Sequence, residues 1–164
     1  MQLAEDSQIS NTRFQKDVVD AMIRQPYNNT TIPFSDHNIP GIIHASDYDM
    51  GKIGYAYDDE DFADYHVATN EFEAWNSGWK YRNDGVDIQE NEDENGNGFH
   101  IGFTQKNEWV AFTVNIEESG FYDITTRYSS TSSGYINFLI NDQPISDNIV
   151  LYNTCLLYTS DAAD

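Results

Sequence analysis

Residues 108–116 read EWVAFTVNI, and their alternation decides the fold. Trp109, Ala111, Thr113 and Asn115 share one face of an extended chain, and Val110, Phe112, Val114 and Ile116 share the other. A period of two with one wholly apolar face is the mark of a half-buried β-strand, with the apolar set turned inward. Working outward, FYDITTRYSS (121–130) alternates more weakly, with Phe121, Asp123, Thr125 and Arg127 against Tyr122, Ile124, Thr126 and Tyr128. IIHAS, WKYR to VDI, FHIGF and YINFLIN add further short extended segments, separated by the turn-rich DYDMGKIG, NEDENGNG, EESG, STSSG and NDQP. Many short strands with frequent turns predict an all-β, antiparallel sandwich rather than a βαβ fold.

Before Pro40 the rhythm differs. In NTRFQKDVVDAMI (11–23), Phe14, Val18, Val19, Met22 and Ile23 recur at helical spacing, with Asn11 or Thr12 placed to cap the first turn. The following RQPYNNTTIPFSDHNIPG carries three prolines in a polar setting and reads as a linker. A lone amphipathic helix cannot bury its own face. It belongs either to an upstream domain or against the domain that follows. At the other end, CLLYTSDAAD (155–164) fits neither the strand rhythm nor the preceding composition. It resembles a translated sequencing adaptor, the alternative being a genuine last strand with an acidic tail. The expected organisation is thus residues 1–38 as a helical remnant plus linker, 39–153 as one β domain lacking its last strand or strands, and 154–164 as a non-native tail.

Charge excludes some functions. Eight basic residues stand against twenty-eight acidic ones, a formal net charge of −20. That field repels phosphate backbones and anionic lipid, so neither nucleic acid nor a membrane surface is an expected partner. No apolar run is long enough to span a bilayer, and the first 25 residues lack the order of a secretory signal. The single cysteine, Cys155, forms no intrachain disulfide.

Several constellations bear on chemistry. Asn91, Asp93, Asn95 and Gly96 open like a calcium loop, but Gly102 stands where a bidentate glutamate is needed, which favours a solvated hairpin. The acids Asp58, Asp59, Glu60, Asp61 and Asp64 are abundant enough for a small acidic glycoside hydrolase, yet a run of adjacent acids points in several directions. His37, His44, His66 and His100 have no metal-ligand spacing. Trp75, Trp79 and Tyr81 gather near Tyr55, Tyr57 and Tyr65, either as core or as platforms for the C–H face of a sugar.

The opening PGIIHASDYD (40–49), YRNDGVDI (81–88), HIGFTQKNEW (100–109) and VNIEESGFYDITTRYSS (114–130) occur in an order and at gaps that resemble family 6 carbohydrate-binding modules. The resemblance covers about residues 39–153. It implies a jelly-roll sandwich, non-catalytic binding of polysaccharide or oligosaccharide, and an extracellular role in which the module targets a covalently attached glycoside hydrolase to plant or algal β-glycans. It places Tyr81 as the first of two rings that sandwich a sugar, flanked by Trp79 and Arg82, with Tyr57 and Asp58 adding contacts. The second ring, a tryptophan after LYNT, and a cleft-capping asparagine are absent from this sequence. The glutamates that hold the family's structural calcium are replaced by His44 and Ser46, poor ligands for a hard cation, so no cofactor is expected; Asp47 and Asp49 lie nearby. A structural or adhesion sandwich that binds another protein is the remaining alternative.

Overall fold

A computed structural model describes residues 14–60, 81, 82 and 84–154. The chain separates into two compact units, residues 1–120 and 121–164. The division falls inside the stretch that the motifs join into one domain.

The first unit opens with helix α1, Lys16–Ile23. Gln15 precedes it in extended conformation without a side-chain cap, and the expected caps Asn11 and Thr12 lie outside the described residues. The helix stops where the amides of Arg24 and Gln25 both turn back to the Asp20 carbonyl, just ahead of Pro26. Its expected facing is inverted. Phe14, Val19, Met22 and Ile23 are exposed, whereas Asp17 and Asp20 are buried. The reason is a polar anchor. Asp20 accepts from Arg24 Nη2 at 2.7 Å and Gln25 Nε2 at 2.9 Å. Arg24 in turn reaches the carbonyls of Thr30 and Met50, and Lys16 Nζ sits 3.9 Å from the centre of the Phe34 ring. Arg24, held by Asp20, and Lys16 tie the polar side to the chain that follows, and the apolar stripe faces outward.

Strand β1 (His37–Ile39) leads to a 3-10 turn, η1 (Ala45–Asp47), and then to β2 (Tyr57–Asp58), β3 (Ile88–Glu90), β4 (Phe99–Ile101), β5 (Trp109–Val110) and β6 (Val114–Ile116). β2 pairs with β5 and β3 with β4, both antiparallel, while β1 pairs with β6 in parallel. The two antiparallel registers turn apolar residues inward: Tyr57 opposes Val110, and Ile88 opposes Ile101. Tyr48, Ala56, Tyr57, Val86 and Ile88 form the buried core, with Ile53, Phe99, Ile101, Val110 and Phe112 packed against it. The alternation of EWVAFTVNI therefore holds for Val110 and Phe112, but fades at Ile116, which is exposed. Between β5 and β6 the ladder is replaced by a carboxylate. Asp49 accepts from the Thr113 amide at 2.8 Å and its hydroxyl at 2.6 Å, and the Asp49 amide donates to Ala111.

In the second unit β7 (Gly134–Ile136) pairs antiparallel with β10 (Ile149–Leu151), and β8 (Leu139–Ile140) with β9 (Gln143–Pro144). Asn141 and Asp142 both have positive φ in the two-residue turn of the β8–β9 hairpin, the conformation an I′ turn requires and one these residues tolerate. No strand forms over 121–130 among the described residues, and Phe121, Ile124 and Tyr128 are exposed. Alternation supplies two faces, but a strand also needs a neighbour for its amides and carbonyls. The described residues thus form small two-stranded sheets, most of them antiparallel, with one short helix, a β-rich arrangement.

Candidate functional site

Three segments of the first unit converge around Tyr81. The 81–88 stretch leads into β3, the eight-residue NEDENGNG loop joins β3 to β4, and η1 packs beside β4. The expected opening strand at IIHAS is instead this 3-10 turn, closed by the Asp47 amide on the His44 carbonyl at 2.9 Å.

The Tyr81 ring lies on Phe99, with centroids 4.5 Å apart and planes 17° from parallel, and meets the edge of Phe34 at 5.7 Å. Its hydroxyl donates to Asp47 Oδ1. Asn97 Nδ2 closes the network, donating to Ser46 Oγ at 2.9 Å, to the Tyr81 hydroxyl at 3.2 Å and to Asp47 Oδ1 at 3.3 Å. Asn97 Oδ1 accepts from the Phe99 amide at 3.1 Å, which ties the amide side chain to the start of β4. Burial, and then the hydrogen bond to an anionic carboxylate, push the Tyr81 phenol above its ordinary value, so it stays protonated and donating. At 4.5 Å no pyranose fits between Tyr81 and Phe99. A sugar stacking on Tyr81 has to use the ring face away from Phe99.

The other expected contacts fall elsewhere. Arg82, placed at the ligand by the motif, is fully buried. Its two terminal nitrogens donate to the carbonyls of Tyr48 and Asp49 and to Asp84 Oδ2 at 2.8 Å, so they serve the protein interior rather than a ligand. Tyr57 is a core residue, its ring edge-on to Tyr48 at 5.7 Å and its hydroxyl 3.5 Å from the Gly85 amide. Its apolar partners across the β2–β5 ladder explain the inward facing. Asp58, next along the strand, is exposed and opposes Trp109. Trp79, like Tyr65, His66, Trp75, Asp61 and Asp64, lies outside the described residues.

Phe99, Asn97, Asp47, Ser46 and Phe34 were not singled out as site residues by sequence. The signal for Phe99 was present, since an aromatic immediately after a closed loop sits opposite the residue before it, here Glu90. The acidic loop itself is a hairpin. Asn91 Oδ1 accepts from the Asp93 amide at 3.2 Å and Asp93 Oδ1 from the Asn95 amide at 3.0 Å, two Asx turns in succession. Asp49, near the missing glutamates, is likewise bonded to Thr113. Among the described residues no group of three His, Cys, Asp or Glu side chains is placed to hold a metal.

Fold and site together define a β-rich domain with a ring stack bordered by carboxylate, amide and hydroxyl groups. Residues 79–154 match the family model described as carbohydrate binding module (family 6), the family that the motifs resemble. That family is one of non-catalytic binding modules, and the match supports carbohydrate binding. The match contains Tyr81, Asn97 and Phe99; residues 39–78, which the motif reading also includes, are not part of it. No curated protein and no solved structure matches the chain.

Proposed function

We propose that the chain is a non-catalytic module that binds plant or algal β-glycans outside the cell and holds a covalently linked glycoside hydrolase near its substrate. Tyr81 offers its ring to the C–H face of a sugar, while Asp47 and Asn97 stand at its hydroxyl edge to meet the sugar's hydroxyls. The stack of Tyr81 on Phe99 beside this polar pair, within reach of the family-matched stretch, carries the reading. A rigidly backed aromatic next to hydrogen-bonding groups is the chemistry that recognises a neutral polyol. The domain in this reading is a jelly-roll sandwich. Tethering raises the local concentration of enzyme at the polymer without new chemistry.

The test is titration of the chain with soluble xylan, mixed-linkage β-glucan, laminarin and mannan, by calorimetry and by retardation in glycan-loaded gels. Saturable binding to at least one, without release of reducing sugar, is the expected result. Absence of binding across the panel overturns the reading, and release of reducing sugar by the chain alone would turn it toward a hydrolase.

A further inference from the structure

Arg82 makes no contact available to a ligand, yet its placement sets the site. We infer that Arg82 is the positioning residue that aligns Tyr81 with Asp47. The functional meaning of that alignment rests on the carbohydrate-binding reading, but the alignment itself does not.

The argument is one of adjacency. The guanidinium lies between two rings, 3.8 Å from the centre of Tyr48 and 4.2 Å from that of Phe34. Its donors hold the carbonyls of two consecutive residues, Tyr48 and Asp49, and the carboxylate of Asp84. One rigid, planar group thus locks residues 48 and 49 to residues 82 and 84. Lysine, a point charge on a flexible stem, cannot reproduce that fork. The residue preceding each locked segment is then fixed in turn: Asp47 precedes Tyr48, and Tyr81 precedes Arg82. Those two neighbours are the pair joined by the phenol–carboxylate hydrogen bond. The ring that covers the guanidinium, Phe34, also meets the edge of Tyr81. Asp84 completes the lock by accepting from both Arg82 and the Tyr48 hydroxyl. Side chains at 48 and 84 therefore act on Tyr81 through a single cation, and Phe34 does so both through it and directly.

The test pairs a spectroscopic signature with binding. In the whole chain, stacking displaces the aromatic proton resonances of Tyr81 and Phe99 by mutual ring current, and Tyr81→Ala gives the unstacked reference for Phe99. Arg82→Lys is expected to move the Phe99 resonances to that reference while those of the His37–Phe112 pair, 5.6 Å apart, stay in place. Affinity for whichever of xylan, β-glucan, laminarin or mannan the unaltered chain binds is expected to fall to the level of Tyr81→Ala. Where Arg82→Lys does not fold, Asp84→Asn removes one carboxylate from the lock and is expected to shift the same Phe99 resonances in the same direction. Unchanged Phe99 resonances in a folded variant overturn the inference. Displaced resonances in a chain that binds none of the four glycans uphold it and count against the carbohydrate reading alone.

Discussion

Tyr81 brings two separable contributions, a ring and a hydroxyl. Removing the ring with Tyr81→Ala should weaken glycan binding tenfold or more, given about 1.5–3 kcal/mol for a buried aromatic. Tyr81→Phe keeps the stack on Phe99 and deletes only the donor to Asp47, so its loss should be smaller; calorimetric titration of both variants measures the difference. In the core, Ile88 is fully buried against Tyr48, Tyr57 and Val86, and Ile88→Ala should cost about 2–5 kcal/mol by denaturant unfolding. The place of Tyr81 just ahead of a turn and β3 was legible in the sequence, because that signal is local. Its partners were not, because Asp47 lies 34 positions away and Asn97 16, brought close only when η1 and the β3–β4 hairpin assemble. Arg82 was misread for a related reason: a cation beside an exposed ring and a cation inside a ring sandwich have the same sequence.

Among the elements, the turns were read well and the strands unevenly. NEDENGNG and NDQP carry their own geometry in Asx turns and positive-φ residues, so they fold as their residues dictate. Residues 121–130 and the helix depended on what lay opposite them, and there the periodicity misled. The β8–β9 turn gives a direct check, since Asn141→Val places a β-branched residue at φ 49° and should destabilise by about 1–2 kcal/mol in thermal unfolding. The β3–β4 hairpin has a pH signature. Burial lowers the His100 imidazole below its ordinary value, and neutral Nδ1 lies 3.4 Å from the Asn91 amide nitrogen that donates to it. The folded state therefore binds the proton less readily than the unfolded chain. Stability from this site is present above the unfolded value of about 6.5 and declines as pH falls below it toward the folded value. Replacing His100 with Gln should flatten that part of a melting-temperature profile. At α1 the balance differs: burial raises the Asp20 carboxyl, and the hydrogen bonds from Arg24 and Gln25 with the Arg24 charge outweigh it, leaving it below its ordinary value. That anchor weakens only in stronger acid.

At the scale of the whole molecule, a net charge of −20 is mostly self-repulsion. Raising the salt concentration screens it, so the melting temperature should climb between about 10 mM and 300 mM sodium chloride. Binding of a neutral glycan releases no counterions and should stay nearly constant over the same range, unlike the steep salt dependence of nucleic-acid binding. The parallel pairing of β1 with β6 has a consequence for synthesis. Asn38 and Asn115, bonded across that pair at 3.0 Å, are 77 residues apart in the chain. At about 5–20 residues per second, β1 waits roughly 4–15 s on the ribosome before its partner is made. For that interval its amides and carbonyls are open to any passing extended chain, so the first strand of the unit is also its most exposed liability during translation.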